Sequence, residues 1–394
     1  MQTHPAPSLR VVALAALMAA ASVCGTSDTP DAPKHDDSPS SDDSDSDSKP
    51  ETGKAEDAGS PGKATKDAGS KGDNTTPPVF DGGKPISTPP SRDAAANTAP
   101  AAGDASVSTP EGDEPAVACT GDKGAPAVAQ TYKQVGKAPS GPIPIVIETE
   151  PTLAGYTIYR PKDLTEKYPQ FVFMDGSCTL EGVGIFSEIL SEVASYGFIA
   201  VVVGNPKSSG MEALSTDPKS LLKPLDWLYA ENERPCSKYY QKILKNKAAA
   251  SGQSCGGVHA LGAGKDPRVA TVVPLNSGLT GMSADSATVL GALHGSVAYL
   301  IGGSSDLAYS LAQGDYTALP KTLPAWYGNF KSVGHYYVFT DGQDNGGEFG
   351  RVTVGWLRWQ LKGETGPGTK DLFVGASCGL CGGTDWVVKS QNLN

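Results

Sequence analysis

The chain has 394 residues, 47 of them Gly and 31 Pro, with 38% hydrophobic residues and a formal net charge of −11, a composition in which much of the length builds no core. The acidity is local: residues 25–114 hold 19 Asp plus Glu against 8 Lys plus Arg, whereas residues 115–394 hold 24 against 23. This excludes a generally basic nucleic-acid-binding protein, and the lack of any run of about 20 apolar residues excludes a transmembrane bundle.

At the N-terminus, Arg10 is followed by VVALAALMAAASV, a charged region and an apolar stretch of signal-peptide length. Two processing sites compete. Ala19-Ala20-Ala21 suits ordinary signal peptidase, and Ala21-Ser22-Val23-Cys24 resembles a loose bacterial lipobox in which Cys24 would carry lipid. The lipoprotein reading is favoured, with residues 1–24 as the signal peptide. Residues 25–114, rich in Ser, Asp, Pro, Gly and Lys, bury too little apolar surface to offset ordering entropy and are expected to form a disordered acidic linker. The remaining residues, 115–394, have the size and composition of one large domain. The expected location is the cell surface or outer membrane, or alternatively the medium.

From about residue 128, short apolar runs alternate with amphipathic segments, the pattern of an α/β domain with a mostly parallel central sheet and helices on both faces. Strands are predicted at Gly155–Tyr159, Gln170–Met174, Phe198–Val203, Lys247–Ser251, Val269–Leu275, Val297–Ile301 and Ala325–Asn329. Between the second and third, Val183–Ala194 places Ile185, Phe186, Ile189, Leu190 and Val193 on one helical face, ending at Tyr196-Gly197. Near the C-terminus, Glu348–Leu361 carries Phe349, Val352, Trp356 and Trp359 at helical spacing.

Gly252-Gln253-Ser254-Cys255-Gly256 matches the G-x-S-x-G nucleophile elbow, in which a strand runs into a helix and exposes the Ser hydroxyl on a strained turn. A second match, Gly375-Ala376-Ser377-Cys378-Gly379, runs into CGLCGG and is followed by no His, so Ser377 is a decoy. A nucleophilic Ser needs a base, and there are five His. His4 and His35 lie in the leader and linker. His259, five residues into the helix after Ser254, is expected to point away from the turn. His294 precedes a strand and so falls at the N-terminal edge of the sheet, whereas active groups collect at the C-terminal edge. His335 is left, in the loop after the last predicted strand. The acid that would orient it should follow a strand between Ser254 and His335. Asp306 does. Asp285 follows a polar loop, and Asp341 and Asp344 come after the His.

An oxyanion hole requires two preorganised N–H donors. The backbone of Cys255 supplies one, and Ser177, in the loop after Gln170–Met174, is the candidate for the other. Cys178 and Cys255 then sit on neighbouring loops and are expected to form a disulfide. Of the seven cysteines, at 24, 119, 178, 236, 255, 378 and 381, setting Cys24 aside leaves an even six, which in an exported chain favours disulfides. Cys378 with Cys381 reads as a local bridge rather than a redox or zinc motif, and of the 15 complete pairings of six cysteines the set Cys178–Cys255, Cys378–Cys381 and Cys119–Cys236 is one that stays open.

The motifs MDGSC, EVASYGF, DWLYAEN, GQSCGG, GGSSDLAY, VGH, GGEFGRVTVGWLRWQLKG and CGLC together resemble an exported α/β-hydrolase of the dienelactone hydrolase, cutinase and polyester hydrolase group. The resemblance spans nearly all of residues 140–394. It implies the α/β-hydrolase fold, with Ser254 as nucleophile, His335 as base, Asp306 as acid, and Ser177 and Cys255 as oxyanion donors. Polyester hydrolases of this group carry aromatic residues where this chain has Ser177 and Asn276-Ser277, so a flat aromatic polyester fits poorly. Trp227, Tyr309, Trp326 and Tyr336 could still line a site. The expected function is a serine hydrolase of carboxylic esters, small or polymeric, acting through an acyl-enzyme, as a monomer without cofactor, metal or nucleic-acid partner. Its only expected membrane contact is a tether through Cys24. The alternatives are an amidase or acyltransferase on the same fold, or a non-catalytic surface binding lipoprotein.

Overall fold

The computed structural model describes residues 129–206, 217, 219–282, 284–331, 333–339 and 344–393. The leader, the acidic linker, Cys24 and Cys119 lie outside the described residues, as do His4, His35 and Asp341. The strands are β1 (Gln130–Tyr132), β2 (Ile145–Thr149), β3 (Tyr156–Pro161), β4 (Tyr168–Met174), β5 (Ile199–Val203), β6 (Ile243–Gln253), β7 (Val269–Leu275), β8 (Ser296–Ile301), β9 (Ala325–Phe330) and β10 (Trp386–Gln391). The helices are α1 (Ser187–Ser195), α2 (Lys223–Glu233), α3 (Cys255–Ala263), α4 (Ser286–Gly291), α5 (Tyr309–Ala318), α6 (Gly347–Lys362) and α7 (Lys370–Phe373).

All ten strands form one sheet in the order β1-β2-β3-β5-β4-β6-β7-β8-β9-β10. Its centre, from β5 through β4 and β6 to β9, is parallel. β1, β2 and β3 extend one side in antiparallel fashion and β10 closes the other. This is an α/β architecture with a mostly parallel mixed sheet. All seven predicted strands are present, several of them a residue or more longer than their apolar runs.

Strand side chains alternate between the two faces, and the sheet has a core on each. Val172 and Met174 of β4 face α2, α3, α4 and α5, packing with Leu225, Leu228, Ala260, Leu261, Leu290 and Ala312. Phe171 and Phe173 face the opposite way, with Ile189, Leu190 and Val193 of α1, Phe349, Val352 and Trp356 of α6 and Phe373 of α7. Each of these large side chains contributes about 1.5–3 kcal/mol by leaving water, enough to choose which face of each strand turns inward. The helices predicted over 183–194 and 348–361 lie on this second face, and the one predicted after Ser254 lies on the first. α1 begins four residues after Val183: residues 182–186 run as bend and turn, where the Gly182 carbonyl accepts the Tyr159 hydroxyl at 2.9 Å. α6 ends where Gly363 adopts φ 72°, a left-handed stop that glycine tolerates best.

The chain enters the parallel centre at β4, goes to β5 on one side, then returns past β4 to β6 and continues to β9 on the other. Strand order therefore reverses between β4 and β6. In open α/β sheets the crevice beyond the strand C-termini at such a reversal is where ligands bind.

Candidate functional site

The loops that leave the C-terminal ends of β4, β6, β7, β8 and β9 carry Ser177, Ser254, Asn276, Asp306 and His335 respectively. Parallel strands end at the same edge, so residues spread over 159 positions of sequence share one neighbourhood.

Ser254 lies between the last residue of β6 and the first of α3, with φ 53° and ψ −117°, a strained backbone that a non-glycine residue keeps only where its surroundings hold it. Packing supplies that hold. A Cβ on Gly256 would lie 2.0 Å from the Met174 carbonyl oxygen, and one on Gly252 would lie 2.4 Å from the Gly256 backbone. Both outer positions of G-x-S-x-G are therefore closed to any side chain. The Ser254 carbonyl accepts from the Gly257 and Val258 amides at 2.9 and 3.2 Å and from the Ser277 hydroxyl at 2.7 Å. The amide of Cys255 belongs to the first turn of α3, whose N–H groups have no carbonyl within the helix to donate to. Ser377, by contrast, is exposed on a turn after α7.

Asp306 and His335 are 4% and 5% exposed. His335 Nδ1 donates to Asp306 Oδ1 at 2.6 Å, a short charge-assisted bond. The same oxygen accepts the Ala308 amide at 2.9 Å. Oδ2 accepts the Gly302 amide at 2.8 Å and Asn276 Nδ2 at 2.6 Å. Burial pushes the carboxyl pKa up, but the hydrogen bond and charge of His335, with the Gly302 and Ala308 amides, outweigh it and leave the group below its ordinary value. Asp306 is thus an acceptor, which fixes the imidazole proton on Nδ1. Nε2 is left buried with no hydrogen-bond partner.

Two further contacts tie the His335 loop down. The Val333 and Gly334 amides donate to the Gly302 carbonyl at 3.2 and 2.5 Å, joining the loops that carry Asp306 and His335. Gln253, the residue before Ser254, donates from Nε2 to the His335 carbonyl at 2.9 Å. The other side of the Gln253 amide packs on Gly176, where a Cβ would stand 2.0 Å from Oε1. Gln253 therefore touches both the His335 loop and the Ser177 loop.

Ser177 and Cys178 have φ 55° and 52°, so the loop after β4 turns sharply back toward α3. Cys178 is bonded to Cys255 in a disulfide with Cα atoms 5.4 Å apart, as expected, and it spans the β4/β6 reversal. Cys378 and Cys381 are likewise bonded. Cys236 is disulfide-bonded, while Cys119 lies outside the described residues. Asp175, which opens the loop, is buried, and desolvation, reinforced by Glu181, pushes its carboxyl well above the usual range. It accepts the Glu181 amide at 3.1 Å.

Several sequence expectations need correction. His259 does not point away from the turn. It is half-buried, and a ring nitrogen lies within 4.8 Å of the sulfurs of both Cys178 and Cys255, because position i+4 on a helix returns to the face of position i. Burial lowers its pKa, with Asp217 acting in the opposite sense. Trp326 lines no site: it is fully buried on the α6 side, edge-on to Phe373 at 5.3 Å. Trp227 packs edge-on against Tyr239 at 5.2 Å and donates to Thr152. Tyr336 does stand at the site, its ring 5.2 Å from that of His335, and Tyr309 begins α5 with its amide on the Asp306 carbonyl at 3.0 Å. His294, as expected, lies before β8, bonded to the Asp266 carbonyl at 3.0 Å. Asp285 is exposed at the start of α4, and Asp344 pairs with Lys137.

Sequence reasoning passed over Gln253 and Asn276 as positions that matter. The available signal was position: each sits at or just past the end of a parallel strand, and Asn276 has φ 47°, a conformation that Asn tolerates better than most residues. No family model matches this chain, and no curated protein matches it. No helix among the described residues is long and apolar enough to cross a membrane.

Proposed function

We propose that the protein is a serine hydrolase of the α/β-hydrolase type that cleaves carboxylic esters through Ser254, His335 and Asp306. The observation that carries the reading is the buried Asp306–His335 pair, whose outer nitrogen has no partner, at the same sheet edge as a serine of strained backbone at the start of a helix. A structural histidine in such a setting would be bonded at both nitrogens, because an unpaired buried acceptor costs about 1–3 kcal/mol.

In this reading Ser254 Oγ attacks the acyl carbon as His335 Nε2 takes its proton, and Asp306 stabilises the imidazolium without being protonated itself. The carbonyl oxygen becomes an oxyanion held by the amides of Cys255 and Ser177, each donor worth about 3 kcal/mol or more. Collapse of the tetrahedral intermediate expels the alcohol, which takes the proton from His335 and leaves an acyl-Ser254 ester. Water, deprotonated by His335, then releases the acid and restores the serine.

The disulfides among the described residues favour an oxidising compartment, in keeping with an exported protein and with a leader that offers Cys24 for lipid. The test is hydrolysis of p-nitrophenyl esters of increasing acyl length by the full chain. Turnover that Ser254→Ala abolishes supports the reading. No turnover at any length by folded, oxidised protein overturns it and favours a binding protein.

A further inference from the structure

The disulfide beside Ser254 has a neighbour that the esterase reading does not use. Cys255 and His259 are four residues apart on α3, so their side chains share one face of the helix. Cys178 arrives from the loop after β4, with its Cα 5.4 Å from that of Cys255. The two sulfurs and one imidazole nitrogen lie within 4.8 Å of one another, and no other group of three metal-binding side chains converges in this way among the described residues.

We propose that Cys178, Cys255 and His259 form a thiol-gated metal site, closed while the two cysteines are bonded to each other and open to Zn2+ once a dithiol has reduced them. Two thiolates and an imidazole are a ligand set that zinc favours, with Zn–S of about 2.3 Å and Zn–N of about 2.0–2.1 Å. Ligand atoms on one tetrahedral ion are about 3.4–3.8 Å apart at those bond lengths, so His259 needs only a side-chain adjustment of about an ångström. The Cα separation suits a shared ion as well as a disulfide, and neither backbone has to move far. Cys178 is buried while Cys255 and His259 are half-buried, which leaves one side open for the ion to enter and for water as a fourth ligand.

One thiolate of the dithiol attacks one sulfur of the Cys178–Cys255 bond and expels the other as a thiolate, and its second thiol then displaces the attacked protein sulfur from the mixed disulfide. The dithiol leaves as a cyclic disulfide, and two electrons and two protons pass to the cysteines. Binding of Zn2+ then releases both thiol protons to solvent and takes the lone pair of His259. The ion would tie the Ser177 loop to the start of α3, as the disulfide does in the oxidised protein. The proposal uses no part of the esterase reading, and a failure of either leaves the other standing.

The experiment uses the full chain with Cys378→Ser and Cys381→Ser, which removes the neighbouring C-x-x-C thiols. The protein is reduced with dithiothreitol, desalted without air, checked for fold by circular dichroism and titrated with Co2+, a spectroscopic stand-in for Zn2+. The expected result is one Co2+ per chain with a thiolate charge-transfer band, displaced by Zn2+ and missing from the oxidised protein. Affinity should be at least ten-fold weaker in His259→Gln and the band lost in Cys178→Ser. Equal binding by His259→Gln and its parent, equal binding before and after reduction, or loss of the fold on reduction would each overturn the proposal.

Discussion

Two buried carboxylates show how differently this fold spends a polar group. Glu148, on β2, lies under a lid of donors: Arg160 grips both of its oxygens at 2.8 and 2.9 Å, and Lys238 and Tyr239 reach Oε1 at 3.0 and 2.9 Å. Arg160 in turn donates to the Pro161 and Lys162 carbonyls at 2.8 Å. Asp306, on the opposite flank of the parallel strands, is equally buried and also four-fold bonded, but to two amides, a carboxamide and one imidazole. Burial raises the pKa of each and hydrogen-bonded partners more than reverse it. The difference lies at the far end of the chain of bonds. The Glu148 network runs from one partnered group to the next, on through Lys238 to Glu150 at 2.6 Å, and fixes the antiparallel edge, whereas the Asp306 network ends at a buried nitrogen with nothing to bond. A closed network holds a structure together, and the open one ends at the nitrogen that the proposed reaction would use as its base.

The contrast can be broken most sharply at the serine. Ser254→Ala should lower ester turnover by about 10⁵-fold or more while leaving the unfolding midpoint within a degree or two, as measured by steady-state kinetics and a thermal melt. Asp306→Asn comes next, with a loss in kcat of about 10⁴-fold, because the amide can donate to Nδ1 and fix the wrong tautomer. The same variant tests the pH account. A carboxyl held below its ordinary value stabilises the fold above the unfolded pKa, here 3.8, and loses that contribution as pH falls through the lower folded value. The gap in urea midpoint between the parent and Asp306→Asn should therefore narrow below about pH 4.

Asn276→Ala removes one of four bonds to Asp306 and should cost about 10–100-fold in kcat with KM little changed. An equal loss in Asn276→Ala and Asp306→Asn would show that Asn276 does more than position the acid. Glu148→Gln marks the other end of the scale. It should leave kcat unchanged and lower stability by about 3 kcal/mol in denaturant titrations, the consequence of breaking a buried ion pair on one side. A fall in kcat with stability intact would contradict the division into a closed and an open network.

Much of this was legible in the sequence, for reasons that differ by element. The buried parallel strands show because strands covered on both faces become continuous apolar runs, such as Ile199–Val203 and Val269–Leu275. The missed strands are all antiparallel and at or near the edges. β1 has three residues, β2 follows a Gly- and Pro-rich stretch, and in β10 only Trp386 is buried. Edge strands are made by their neighbours more than by their own composition. α4, α5 and α7, none of them predicted, are short and bury only one or two side chains each, so no stripe announces them. Ser254, Asp306 and His335 could be singled out because nucleophile chemistry restricts residue type, chain order and sheet edge together. Gln253 and Asn276 could not, because an amide acquires meaning only from what it touches, and their partners lie 82 and 30 residues away.

The central claim is that Ser254 is activated by the His335 and Asp306 pair. The most direct measurement is labelling of the full chain with a fluorophosphonate, followed by mass-spectrometric location of the adduct. The account predicts one label per chain, on Ser254, lost in Ser254→Ala and slowed by several orders of magnitude in His335→Ala. A folded, disulfide-intact protein that takes no label, or takes it equally with and without His335, would contradict it.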